Sequence, residues 1–142
     1  MMHTFTPTLA QIEAVLAGNG FEVVEQNESV LQFKEPDTGL TGRAVLEGNI
    51  LYCTITCLTL PASAVTADLT RRMLDSDNGI STSSFQLYDN NGTVAVALNN
   101  FCVLQNMGPE DESDILSCLS FLLADVYEAR ELLSDVAGRA TA

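Results

Sequence analysis

The chain has 142 residues, enough for one domain that buries a core without a disulfide or metal staple. Its hydrophobic content of 46% is that of a globular protein rather than a disordered one. Nineteen acidic residues face six basic ones, giving a net charge of −13; with no basic stripe to track phosphates or to meet an anionic bilayer, the composition argues against nucleic acid and membrane as partners.

Residues 1–7 read as a tail, and the start Met1-Met2-His3-Thr4-Phe5-Thr6 has neither the basic nor the apolar segment of a secretory signal. The first helix opens at Thr8, where Thr8-Leu9-Ala10-Gln11 has the spacing of a capping box. Leu9, Ile12, Val15 and Leu16 form its apolar face, and Gly18-Asn19-Gly20 ends it. Strands follow at Phe21–Glu25 and Ser29–Lys34, then at Leu40–Glu47 and Ile50–Thr59 across a Gly48-Asn49 turn. In the last of these Leu51, Cys53, Ile55 and Cys57 point one way, and Tyr52, Thr54 and Thr56 the other.

Pro61 suits a first helical turn, so a second helix is expected over Ala62–Asp75, with Val65, Leu69 and Met73 inward, Leu74 at the margin of the same face, and Asp77-Asn78-Gly79 closing it. A hairpin turning at Asp89-Asn90-Asn91-Gly92 comes next: Phe85 and Leu87 alternate with Gln86 and Tyr88, and Val94, Val96 and Leu98 with Thr93, Ala95 and Ala97. Phe101–Leu104 either extends the second strand or adds another. A long helix over Pro109–Val136 carries Ile115, Leu119, Leu122, Val126, Ala129, Leu133 and Val136 on one stripe, which Leu116, Leu123 and Tyr127 widen. Its opening acids, Glu110, Asp111, Glu112 and Asp114, read as a solvated first turn that the helix dipole favours. Residues 137–142 read as a second tail.

The expected fold is therefore a single α+β domain over 8–136, a two-layer structure with an antiparallel sheet and helices on one face. The order is α-β-β-β-β-α-β-β-(β)-α.

Residues suited to chemistry are scarce. The one histidine, His3, falls in the tail, so no Cys–His or Ser–His dyad is expected. The four cysteines, Cys53, Cys57, Cys102 and Cys118, read as scattered, buried free thiols of a reducing compartment, and they form no zinc-ligand pattern. Asp75-Ser76-Asp77-Asn78-Gly79 begins like a calcium loop, but its glycine comes one place early and Gln86 stands at the twelfth position. No phosphate loop or dinucleotide fingerprint is present. The expectation is a cytoplasmic, non-enzymatic protein with no cofactor and no metal.

The distribution of charge is less ordinary. Gly48–Ala67, Asn78–Tyr88 and Asn90–Pro109 hold no Asp, Glu, Lys or Arg. The outward strand residues Tyr52, Thr54, Thr56, Gln86, Tyr88, Thr93, Ala95 and Ala97 thus make a neutral face suited to an extended peptide or a second subunit. Thr and Tyr also suit any half-exposed strand.

Several local patterns, spread over about Thr8–Val136, resemble the type III secretion chaperone-like superfamily, which includes the YbjN-like sensory transduction regulators. They are the helix exit Gly20-Phe21-Glu22-Val23, the helix segment Leu69-Thr70-Arg71-Arg72-Met73-Leu74, the hairpin Phe85–Val94, and the acidic start Pro109-Glu110-Asp111-Glu112 of a long amphipathic helix. The resemblance implies a homodimer that binds a client or regulatory partner protein. In secretion chaperones the second helix and adjoining strands commonly form the dimer, which would implicate Val65, Leu69, Arg72 and Met73. The alternative is a small-ligand or lipid-binding α+β domain.

Overall fold

A computed structural model describes residues 6–134. His3, Val136 and the expected C-terminal tail lie outside the described residues, and Pro7, placed in the expected N-terminal tail, is buried. The elements are α1 (Leu9–Gly18), β1 (Glu22–Glu25), β2 (Val30–Lys34), β3 (Thr41–Glu47), β4 (Ile50–Pro61), α2 (Ala67–Leu74), β5 (Ser84–Asn90), β6 (Thr93–Val103) and α3 (Pro109–Leu132). The fold is α+β in the expected order, and Phe101–Val103 is the end of β6 rather than a further strand.

The six strands form one sheet in the order β1-β2-β3-β4-β6-β5. The neighbours β1–β2, β2–β3, β3–β4 and β5–β6 are antiparallel. So is β4–β6: Leu104 N–H donates to the Asn49 carbonyl at one end, and Ala62 N–H donates to the Gly92 carbonyl at the other. These two bonds differ in register by one residue, and buried positions on β4 change phase between Cys57 and Leu60. A one-residue bulge accounts for both. The Cys57 carbonyl near it accepts from Arg130 Nε at 3.1 Å.

Contacts gather the chain into two compact units. The first holds the described residues up to Thr54 together with Asn100–Ser120; the second holds Ile55–Asn99 and the described residues from Phe121 on.

In the first unit the capping box of α1 is complete: Thr8 Oγ1 accepts from Gln11 N–H at 3.3 Å, and Gln11 Oε1 accepts from Thr8 N–H at 2.9 Å. Leu9, Ile12 and Leu16 are buried, and α1 packs on β1 and β2. Leu31, Phe33, Ala44, Leu51 and Cys53 supply the buried face of the strands; Leu31 pairs with Ala44, and Ala44 with Cys53. The β3–β4 turn has Gly48 at φ +61°, the first central position of a type II′ hairpin, where a side chain would be strained.

In the second unit the expected helix start is corrected. Pro61 remains the last residue of β4, Ala62–Ala64 is a single 3-10 turn, and α2 begins only at Ala67. Thr66 caps it, Oγ1 accepting from Leu69 N–H at 3.2 Å, with Asp68 in the first turn. The cap wins because Thr66 satisfies an orphan N–H that Pro61 cannot. Leu69 and Met73 pack with Leu60, Val96 and Leu133. The β5–β6 turn is the expected one, with Asn91 at φ +49° and Gly92 at φ +89°. On α3 the residues Leu122, Val126 and Ala129 are buried, as is Leu133 just after it, whereas Tyr127, expected to widen the stripe, is exposed.

Candidate functional site

The groups most suited to chemistry are spent on structure. Asp111 and Asp125 on α3 are each only 2% exposed; of the opening acids Glu110, Glu112 and Asp114 are exposed as expected, and only Asp111 departs from the solvated reading. Asp111 Oδ2 accepts from the N–H groups of Gln105, Asn106 and Met107 at 2.7, 2.9 and 2.7 Å, holding Met107 at φ +55°. Burial pushes this carboxyl up, but the three amides outweigh it and hold it below the ordinary carboxylate range.

Asp125 fastens the segment after α2. Its Oδ1 accepts from the Ser81 N–H and hydroxyl, both at 2.9 Å, and its Oδ2 accepts from Ser83 N–H at 3.2 Å. Here too burial is outweighed by these donors, and the carboxyl titrates low. Replacing Asp125 by Ala is expected to cost about 1–3 kcal/mol, the loss of part-buried hydrogen bonds to a charged acceptor. Amide hydrogen exchange at Ser81 and Ser83 should speed up; unchanged exchange there would refute the anchoring role.

The cysteines are less scattered than their spacing suggests. Cys118 lies near Cys102 and Cys53, so that α3, β6 and β4 meet there within the first unit. The neighbouring Cys118 thiol, then burial, raises the Cys102 thiol, and Cys118 itself is raised. Burial lifts Cys57 to about 11, the Arg130 guanidinium offsetting part of the rise. Such thiols stay protonated near neutral pH and are poor nucleophiles. Among the described residues no group of three or more His, Cys, Asp or Glu is placed to hold a metal ion.

The feature left without a structural use is the sheet face of the first unit opposite its buried side chains. On it Val30 pairs with Val45, and Val45 with Tyr52. The Tyr52 ring lies 6.1 Å from that of Phe101, extending the row across β2, β3, β4 and β6. Ile50 and Val103 stand two residues further along β4 and β6. Phe101 is 58% exposed, Val103 48% and Tyr52 37%. Three aromatic or branched side chains so open to water, on adjacent strands, form a patch rather than scattered exposure. Arg43 flanks the row on one side and Glu47 on the other, both exposed on β3.

The sequence-derived candidates divide between the two units. Tyr52 lies in this patch, and half-buried Thr54 is one step beyond it toward Arg43, with which it pairs. Thr56 and Tyr88 are exposed in the second unit, where the Tyr88 hydroxyl donates to Gln86 Oε1 at 2.8 Å and accepts from Asn99 Nδ2 at 3.3 Å. Ala97, expected outward, is buried, its methyl too short to emerge past its neighbours. Leu69 and Met73 are core side chains of the second unit, and Val65 is half-buried against the same cluster. Arg72 is tied to Asp68 at 3.3 Å. The outward surface of α2 is instead Ala67, Thr70, Arg71 and Leu74, which with Asp75 line an open hollow.

Sequence reasoning missed Phe101 and Val103, the most exposed members of the patch. The signal was there: continuing the Thr93, Ala95, Ala97 alternation along β6 places Asn99, Phe101 and Val103 on the outward side. Asn99 and Asn100 stand just before Phe101 on β6. Both side chains are in fact bonded within the fold, Asn99 to Tyr88, and Asn100 Nδ2 to the Cys118 carbonyl at 3.4 Å.

No protein-family model matches this chain, and no curated protein matches it. Among the described residues no helix is long and apolar enough to cross a membrane.

Proposed function

We propose that the chain is a non-enzymatic protein-binding domain that takes a partner on the open sheet face of its first unit. The observation that carries this reading is the Tyr52–Phe101 row, which leaves large apolar side chains in water on a chain otherwise rich in exposed charge. Burying such a row under a partner recovers roughly 25 cal/mol per Å² of apolar surface, and aromatic side chains are the usual anchors of such contacts. The occupied carboxylates and protonated thiols support the non-enzymatic part. A client-binding or regulatory role in the cytoplasm, of the kind the secretion chaperone-like and YbjN-like resemblance implies, is the form of binding we favour. It rests on local sequence patterns and the order of elements.

The test places charge on the face without touching the core. Phe101→Glu and Thr54→Glu should each leave the circular dichroism and melting of the protein near those of the unaltered chain. They should reduce the amount of partner retained from native lysate by tenfold or more. Equal retention by Phe101→Glu and the unaltered protein would remove the reading.

A further inference from the structure

We infer that Asn91, at the tip of the β5–β6 hairpin, is this chain's site of spontaneous deamidation, and that its isoaspartyl product loosens the chain just past the end of β4.

The sequence contains three Asn-Gly pairs, Asn19-Gly20, Asn78-Gly79 and Asn91-Gly92. Each sets an amide side chain beside a backbone nitrogen that no following side chain shields. The glycine nitrogen gives its proton to solvent and attacks the asparagine Cγ. An N–Cγ bond forms, the Cγ–Nδ2 bond breaks, and Nδ2 leaves as ammonia. Water then opens the cyclic imide at either carbonyl. One opening gives aspartate; the other gives isoaspartate, whose backbone runs through Cβ. One water is consumed and one ammonia released, with no oxidant or cofactor. The dipeptide is the same at all three places, and the fold separates them.

At half-buried Asn78 both ends of the amide are held: Nδ2 donates to the Met73 carbonyl at 2.7 Å, and Oδ1 accepts from Ile80 N–H at 2.9 Å. At Asn19, Nδ2 donates to the Val15 carbonyl at 2.7 Å. The attacking nitrogen there is engaged too, Gly20 N–H donating to the Ala17 carbonyl at 3.4 Å. Asn91 and Gly92 are exposed, and among the described residues neither the Asn91 side chain nor the Gly92 N–H has a hydrogen-bond partner. A Cβ on Gly92 would meet nothing within 4 Å. One on Gly79 would meet the Glu128 carboxylate at 3.4 Å, a negative charge that opposes loss of the nearby amide proton.

Attack brings the nitrogen into contact with Cγ, so a held side chain must first let go. Breaking a hydrogen bond of ordinary net strength slows the step by about twofold to tenfold. Asn91 should therefore react at least about tenfold faster than Asn78 and at least about threefold faster than Asn19.

The product bears on the fold. Isoaspartate puts one extra backbone atom into a two-residue turn whose central residues, Asn91 and Gly92, both sit at positive φ. The Asn90–Thr93 pair closes this turn, and the Gly92 carbonyl accepts from Ala62 N–H at 2.9 Å, just past the end of β4. Displacing that carbonyl frees the Ala62 amide.

Mass spectrometry of the full chain, aged near neutral pH either folded or in guanidinium chloride and then digested, tests this. Unfolded, the three sites should agree within about threefold; folded, Asn91 should lead by the margins above. An inert Asn91 in the folded protein overturns the inference. So does an Asn78 or Asn19 that keeps pace with it, or the same margins in denaturant. The isoaspartyl fraction should also show faster amide exchange at Ala62. Asn91→Asp adds the charge without the extra backbone atom and should exchange there like the unaltered protein. Unchanged exchange in the isoaspartyl fraction, or equal acceleration in Asn91→Asp, would refute the loosening by a longer backbone.

Discussion

Asp111→Ala should cost about 3 kcal/mol of stability. One carboxylate oxygen meets three consecutive backbone N–H groups within 3 Å. Hydrogen bonds to charged acceptors contribute about 1.5–3 kcal/mol each, and an unmet buried donor costs about 1–3. The sum is not reached, because the segment Gln105–Asn106 is exposed and water replaces part of what is lost. Met107 adds to the effect: its φ of +55° is a conformation that a non-glycine side chain adopts at a cost, and Asp111 holds it there. Asp111→Asn keeps a neutral acceptor and should lose less than Ala.

The pH dependence follows from the lowered carboxyl. The folded state binds this proton less readily than the unfolded chain, whose carboxyl titrates near 3.9. The contribution is therefore complete above that value and fades as pH falls through the lower folded value. Asp125, held low by its serine donors, adds to the loss with the same sign. Urea unfolding at pH 7 and near pH 3 checks both points. The gap between the unaltered protein and Asp111→Ala should be widest at pH 7 and should narrow in acid. A gap independent of pH would mean that Asp111 acts through packing alone.

Both acids show where sequence legibility ends. The periodicity of α3 placed Ile115, Leu119, Leu122, Val126, Ala129 and Leu133 inward, and all are buried. Hydrophobic spacing is a local signal that reports the face a helix must cover. The same logic read Asp111 as solvated, because charge near a helix start is ordinarily exposed. What buries it is the loop at Gln105–Met107 folding over it, and nothing in the spacing of that loop announces three converging amides.

The strands show the same division. Alternation on β4 correctly separated Leu51, Cys53, Ile55 and Cys57 from Tyr52, Thr54 and Thr56. The phase change after Cys57 depends on how β4 pairs with β6, a partner some forty residues away in sequence. The convergence of Cys53, Cys102 and Cys118 likewise depends on three elements meeting, so the one-dimensional spacing of these cysteines gave no sign of it. At the candidate site Tyr52 was legible. The row became visible only when the pairing of β2, β3, β4 and β6 aligned Val30, Val45, Tyr52 and Phe101.

Leu69→Ala should lower stability by about 2–5 kcal/mol, the range for truncating a fully buried leucine. The α2 helix has eight residues, too few to hold together in water by hydrogen bonding alone. Leu69 and Met73 are its two buried side chains, set into the cluster with Leu60, Val96 and Leu133. Removing one of two anchors leaves a cavity and loosens the helix, so the midpoint of denaturant unfolding should fall sharply. Leu74, on the outer face of the same helix and largely exposed, provides the control: Leu74→Ser should stay within about 0.5 kcal/mol of the unaltered protein, as surface changes usually do. The contrast bears on any role of α2 in assembly. A loss of partner binding in Leu69→Ala would follow the loss of fold and vanish under conditions that keep the variant folded. A loss in Leu74→Ser, with stability intact, would mark the outer surface of α2 as a contact in its own right. Unfolding and binding measured on both variants separate these outcomes, and a Leu69→Ala protein of undiminished stability would contradict the placement of this side chain in the core.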